Sequence, residues 1–272
     1  MICIDVNKGS RLGNWLFQYA TAISLAKGGD VAFWSEDRDL LATISSCSEV
    51  FPAAKFVTNL PAGAEVLRGY RQDPRLFDEK TVRREIVCPE STRKSFYKKW
   101  NHLPQRDSLA SIHVRRGDYL SLPHRFPFVG KSYLRQCVER TLPLLNGEAC
   151  FIVCSDDIPW CKGFFSQKNF PNVKFLFSEG GTAATDLFVP TFCKCNICSN
   201  STFSWWGAWL NETPGKRIFL PSMWYGIQNR RSLDWHQFLF DGCEVIPNSQ
   251  SAVSLASAWV HVVRDFVRDM VK

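Results

Sequence analysis

The sequence predicts an α/β protein built from two parallel-sheet halves. A strand, a glycine-containing loop and a helix open the chain, and the same alternation restarts after a polar stretch near Pro104. The length of 272 residues is enough for one large domain or two of ordinary size.

The first half opens with the apolar strand ICIDV, Ile2 to Val6. The segment NKGSRLGN, carrying Gly9 and Gly13, reads as a loop, and a helix is expected from Trp15 to Lys27. Leu16, Tyr19, Ala20, Ile23 and Ala26 recur on one helical face, and KGGD closes the helix with glycine before a second strand, Val31 to Trp34. Strand, glycine loop, helix and strand form the opening of a nucleotide-binding type of α/β unit. Further on, STRKSFYKKW gathers Arg93, Lys94, Lys98 and Lys99 among aromatics. That pattern admits a strand-binding patch, but no nucleic-acid motif surrounds it, and a solvated helix face is the expectation.

After NHLPQRDS, residues 101–108, the alternation resumes with the strand LASIHV and an arginine-rich loop. A helix over Ser132 to Thr141, strands at Cys150 to Cys154 and Val173 to Phe177, and a helix from Thr182 follow. A short NICS strand, a tryptophan-rich helix and the strand Arg217 to Leu220 complete the series. The expected organisation is therefore two Rossmann-like halves, residues 1–107 and 108–250, with the ligand cleft between them. The tail, residues 251–272, carries Ala252, Leu255, Ala256, Trp259, Val263, Phe266, Val267 and Met270 on one stripe and is expected to pack back on the body.

Hydrophobic residues make up 45% and charged residues 22%, an ordinary globular balance rather than a disordered one. The formal charge of +7 favours an anionic partner without choosing between nucleic acid, phosphorylated substrate and acidic membrane. No stretch reaches the roughly 18 to 20 apolar residues of a membrane span, and MICIDVNKGS lacks a signal-peptide pattern. A cytoplasmic chain is the expectation, although an excised catalytic domain would look the same. The 11 cysteines are scattered and read as buried thiols of a reducing compartment. Cys193, Cys195 and Cys198 in CKCNIC suggest zinc, with Cys154 or Cys161 as a distant fourth ligand, but structural zinc sites show two short paired spacings that are missing here.

Three segments carry candidate chemistry. SIHVRRGDY ends a strand where an open parallel sheet presents its carboxyl edge, which places His113, Arg115 and Arg116 at the mouth of a site. A guanidinium fork matches phosphate oxygens and keeps its charge, so an arginine here suits a diphosphate, with Asp118 able to brace it. The overlapping tripeptide Arg116-Gly117-Asp118 would also be flagged as an adhesion signal. In CSDDIPW, Asp156 and Asp157 follow another apolar strand; they can bind metal or shape the site, but capping of the next helix is the favoured reading. In the third segment, residues 184–210, Asp186 is a carboxylate in an apolar helix that needs donors, either a guanine edge or backbone. SNSTFS then leads into a helix start suited to phosphate, while Trp205, Trp206 and Trp209 fit core better than a sugar platform.

Four ordered motifs, GSRLGNWLFQYA, HVRRGDY, FIVCSDDIPW and NSTFSWWGAWL, resemble those of the α-1,2-fucosyltransferases, related more distantly to α-1,6- and protein O-fucosyltransferases, over about Ile2 to Trp235. The resemblance implies a glycosyltransferase B-type fold, an acceptor-side first half and a GDP-sugar-binding second half. It also implies GDP-fucose as donor, a glycan acceptor such as a terminal galactose, inversion at the anomeric carbon, no metal or other cofactor and no nucleic-acid partner. Carried over by motif, Arg115 is the catalytic residue on the β-phosphate, with His113 beside it. Asp186 reads guanine, Ser201, Thr202 and Phe203 line the nucleotide, and Arg11, Gly13 and Asn14 form the approaching glycine loop. Trp15 stands where the family usually has Gln, which bears on acceptor fit, and Cys195 where His is common.

The general base is not assigned by the sequence: Asp5, Asp118, Asp156 and His124 are all candidates, and a well-stabilised leaving group needs no strong base. Transfer of another sugar from a GDP donor is the nearest alternative. An adhesion or nucleic-acid-binding module is the alternative of another class. Asn200 and Asn211 head the sequons NST and NET and are read as unused, since Asn200 falls inside the expected donor site.

Overall fold

Ile2–Asp5 forms strand β1 and Val31–Trp34 strand β2, each buried except at its last residue. Parallel strands covered on both faces require such unbroken apolar runs. In the computed structural model, which describes residues 1–6, 8–228, 234–248 and 260, helix α1 spans Leu12–Ala26 between them. It starts three residues earlier than expected and takes Gly13 and Asn14 into its first turn. A helical glycine costs about 1 kcal/mol, and burial of Leu12, Gly13 and Trp15 to Ile23 outweighs that preference. The helix ends on Lys27 in the left-handed region, at φ 46°, with Gly28 at φ 90° behind it.

The first half continues through α2 (Arg38–Ser45), β3 (Ala54–Val57), β4 (Glu65–Leu67), α3 (Glu79–Glu85) and α4 (Glu90–Lys99). Its four strands are parallel in the order β3-β2-β1-β4. The chain builds outward from β1 to β3 and then returns to lay β4 on the other side of β1. Helix α4 carries the basic STRKSFYKKW run with Arg93, Lys94, Lys98 and Lys99 at or near the surface and Phe96 buried, the solvated helix face that the sequence suggests.

The second half contains β5 (Leu109–Val114), α5 (Lys131–Thr141), β6 (Cys150–Ser155), α6 (Ile158–Phe164) and β7 (Lys174–Phe177). After α7 (Ala183–Phe188) come β8 (Cys195–Ile197), α8 (Thr202–Trp209), β9 (Arg217–Pro221) and β10 (Cys243–Ile246). The six strands are again parallel, in the order β10-β9-β8-β5-β6-β7. Trp205 and Trp206 are fully buried and Trp209 nearly so, which makes the tryptophans of α8 core. The Tyr133 hydroxyl donates to the carbonyls of Cys198 at 2.6 Å and Phe219 at 3.1 Å, tying α5 to the end of β8 and the middle of β9.

Two units emerge: Met1–Asn101 with Thr182–Phe188, and His102–Gly181 with the chain from Val189. The junction lies six residues before the expected one. The segment holding α7 groups with the first unit, where it packs on α4, a return that linear order cannot reveal. The tail helix expected over residues 251–272 lies outside the described residues, apart from the exposed Val260. Among the described residues no helix is long and apolar enough to cross a membrane.

All eleven cysteines are free. Cys193, Cys195 and Cys198 are buried with their thiols pushed up by desolvation, Cys195 to about 11. Among the described residues no three metal-ligating side chains converge, so the CKCNIC run forms core rather than a metal site.

Candidate active site

In an open parallel sheet ligands bind beyond the carboxyl ends of the strands, where the strand order reverses. In the second unit that reversal falls between β5 and β8, since β6 and β7 lie on one side of β5 and β8 to β10 on the other. His113, from β5, and Ser199, just beyond β8, meet across it, with Nδ1 and Oγ 2.8 Å apart. Phe203 on α8 packs against the imidazole with ring centroids 5.1 Å apart. Burial, aided by the Arg115 charge, drives the His113 pKa down to about 3, so the ring is neutral near pH 7.

The register of β5 with β6 decides the next layer. His113 pairs with Cys154 and Val114 with Ser155, so the arginine pair leaving β5 emerges beside the aspartate pair leaving β6. Arg115 Nη1 lies 2.7 Å from Asp156 Oδ2 and Nη2 lies 2.5 Å from Asp118 Oδ1. The guanidinium is thereby fixed by two carboxylates, yet a guanidinium has five N–H donors and further ones remain for a ligand. Arg116 is held differently. Its amide donates to Asp156 Oδ1 at 2.9 Å, its Nε to Asp157 Oδ2 at 3.0 Å, and its guanidinium lies 4.0 Å from the Trp160 ring centroid. With its side chain only 13% exposed, Arg116 is a structural strut, not the presented arginine of an adhesion loop.

Asp157 caps α6 by accepting from the Trp160 amide at 3.2 Å, and Ser155 Oγ accepts from the Asp157 amide at 2.9 Å. Gly117 closes the turn, where a Cβ would stand 2.5 Å from Asp156 Oδ2. Tyr119 links the two sides: its hydroxyl donates to the Asn200 carbonyl at 3.1 Å, while its ring lies 5.5 Å from the Arg115 guanidinium carbon. Burial raises the phenol pKa well above its usual value, so it stays a donor. Ser201 occupies the N-cap position of α8, but its side chain makes no cap hydrogen bond. The first-turn amides at Thr202 and Phe203 belong to a helix end that favours anions.

His113, Arg115, Asp118, Asp156 and Phe203 are thus brought together in the second unit, and Asp157, Ser201 and Thr202 flank them. Arg11, Gly13 and Asn14 belong to the first unit, where Arg11 is the N-cap residue of α1 and Asn14 Oδ1 accepts from Gln72 Nε2 at 2.7 Å. Asp186 lies in α7 and is half-buried rather than the buried carboxylate expected. A short, six-residue helix in a surface-connected segment leaves its polar face partly wet.

Two further expectations change. His124 is fully buried, which removes it as a base for an incoming hydroxyl. Trp15 is also buried, its indole donating to Ser10 Oγ at 2.7 Å, so its large ring fills core and presents little surface to an acceptor. Asn200 and Asn211 are buried, which keeps both sequons from an enzyme acting on the folded chain. Ser199 and Tyr119 escaped the sequence reading. Both sat within the quoted motifs, but only the strand order shows Ser199 opposite His113.

The sequence model described as Glycosyl transferase family 11 matches residues 56–226. An "O-antigen biosynthesis glycosyltransferase WbnK" from Escherichia coli is 39% identical over 127 residues, 45% of this chain and 41% of that protein. An "Alpha-1,2-colitosyltransferase" from Escherichia coli is 30% identical over 201 residues, 70% of this chain and 68% of that protein. The first match therefore spans about two fifths of its relative, the second about two thirds. Among solved structures, an Escherichia coli ADP-heptose LPS heptosyltransferase II shares the fold at a TM-score of 0.51 and 10% identity, covering 90% of this chain and 89% of that one.

Proposed function

The chain belongs to glycosyl transferase family 11, and on that premise we propose that it transfers L-fucose from GDP-L-fucose to a hydroxyl of an acceptor glycan. The proposed product is an α-1,2 linkage to a terminal galactose or similar hexose, formed with inversion. The observation that carries the reading is the strand-order reversal between β5 and β8, where Arg115, the His113–Ser199 pair and the amino end of α8 gather.

In the proposed reaction an acceptor oxygen attacks the anomeric carbon while the bond from that carbon to the β-phosphate oxygen breaks on the opposite face. The electron pair leaves with GDP, and the acceptor proton passes to the departing phosphate or to solvent. Negative charge grows on the β-phosphate, where Arg115 and the first-turn amides of α8 stabilise it. His113, neutral and clasped to Ser199, supplies hydrogen bonding without adding charge. Asp118 and Asp156 are committed to Arg115, which suits them to orient it rather than to act as base. Positive charge from the guanidinium and the helix end serves where other transferases use a divalent ion, so we propose turnover without added metal.

Incubation with GDP-fucose and an array of acceptor glycans, with linkage analysis of the product and a parallel arm in EDTA, tests the reading. Transfer of fucose to a galactose 2-hydroxyl supports it; consumption of a different GDP-sugar alone would replace the donor. A second reading, transfer of colitose, is favoured by the relative matched over 70% of this chain, and a GDP-colitose arm separates the two.

A further inference from the structure

Ser199 is fully buried, which keeps its hydroxyl from meeting a ligand directly. Its carbonyl is already spent on the start of α8, accepting from the Ser201 amide at 2.8 Å and from Ser204 Oγ at 3.0 Å. The hydroxyl has one hydrogen-bond partner among the described residues, Nδ1 of His113 at 2.8 Å. Such a pair can carry its proton in two ways. If Nδ1–H donated to the hydroxyl, the hydroxyl proton would be a buried donor with no acceptor. If the hydroxyl donates to Nδ1, every proton in the contact is used and only acceptor lone pairs stay unfilled. An unsatisfied buried donor is the costlier defect.

A neutral imidazole carries one N–H, so a hydroxyl donating to Nδ1 leaves the proton on Nε2. That nitrogen has no partner among the described residues, and it is not one of the sealed polar atoms of the core. An open N–H therefore stands at the strand-order reversal between β5 and β8, in the field of Arg115 and near the amino end of α8. Ionised phosphate oxygens only accept, so the tautomer decides whether this ring attracts or repels a diphosphate. Protonation does not supply the donor instead, because burial and the Arg115 charge hold the ring neutral.

We propose that Ser199 is a positioning residue that holds His113 in its Nε2–H tautomer, so that a neutral N–H is presented to an anionic oxygen of a bound diphosphate. The inference rests on the donor-binding reading of this site given above.

Proton–nitrogen correlation NMR of the full chain carrying isotope-labelled histidine reads the tautomer directly, and the His113 signals are those missing from His113→Gln. The wild type should show a protonated Nε2 and a bare Nδ1 near neutral pH, and titration with GDP should move the Nε2 signal. Ser199→Ala should mix the two tautomers and weaken GDP binding, read by calorimetry, about three- to tenfold. Ser199→Thr, which keeps the hydroxyl, should keep the Nε2–H form. A protonated Nδ1 in the wild type overturns the proposal whatever the variants do. So does an Nε2 signal that GDP leaves in place, or a Ser199→Ala chain with unchanged tautomer and affinity. The expected tautomer and GDP response in a chain that transfers no fucose would leave this inference standing and remove the transfer reading alone. Fucose transfer by a chain with a protonated Nδ1 would do the reverse.

Discussion

Asp156 Oδ2 lies 2.7 Å from Arg115 Nη1, so the turn that carries Arg115, the proposed phosphate ligand, is locked to the neighbouring strand's loop by a charge-assisted contact. Because the other oxygen takes the Arg116 amide, one carboxylate sets both the side chain and the turn beneath it. Asp156→Asn keeps the shape and removes the charge. It should lower kcat/KM for transfer by about 10- to 100-fold, in line with roughly 1.5–3 kcal/mol for a hydrogen bond to a charged group. Arg115→Ala should cost about 2.7–4 kcal/mol of transition-state stabilisation with an unchanged circular dichroism spectrum. Turnover by Arg115→Ala within a few fold of wild type would withdraw its assignment.

Gly117 leaves no room for a side chain. A Cβ there would sit 2.5 Å from Asp156 Oδ2, closer than any relaxed contact. Gly117→Ala should therefore impair transfer by displacing Asp156, and Asp156→Ala should absorb part of the damage. A double-mutant cycle with fully additive losses would contradict this coupling.

The His113 pKa lies near 3 in the folded chain, against about 6.5 for a free histidine. The unfolded chain thus binds more protons between those values, and its share of stability is complete above about pH 6.5 and drains away as pH falls toward 3. Urea midpoints measured at pH 5 and 7.5 should fall less on acidification in His113→Gln than in wild type. Equal falls would show that the histidine is not held neutral.

Tyr133 places a single hydroxyl on two buried carbonyls. Tyr133→Phe takes this donor from the Cys198 carbonyl, while the Phe219 carbonyl keeps the Cys198 amide, and should cost about 1–3 kcal/mol, read as a lower urea midpoint with an unchanged slope. An unchanged midpoint would mean that the Cys198 carbonyl finds another donor.

Much of this was legible from the residues. The strands at Val31–Trp34 and LASIHV fall where the apolar runs place them, and the tryptophans of α8 are core because their spacing follows a helix that must be covered. The short strands β3, β4 and β10 gave no comparable signal: each has three or four residues, partly exposed, without a long apolar run. At the site, the sequence proposes Asp118 as the brace of one arginine in HVRRGDY. Asp156 was named only as a site-shaping residue or base, and its grip on Arg115 could not be read there, since the contact follows from the parallel register of two strands 41 residues apart. Ser199 was hidden for the same reason. Linear order likewise could not show that Thr182–Phe188 returns to the first unit and takes Asp186 with it.

The cysteines are divided unevenly, with Cys3, Cys47 and Cys88 in the first unit and the other eight in the second. Cys47, Cys88 and Cys243 are partly accessible, while the other eight are buried. A thiol reagent followed by mass spectrometry through a denaturant ramp would therefore date the opening of each half from native side chains alone. The protein carries its own unfolding clock, with separate hands for its two sheets.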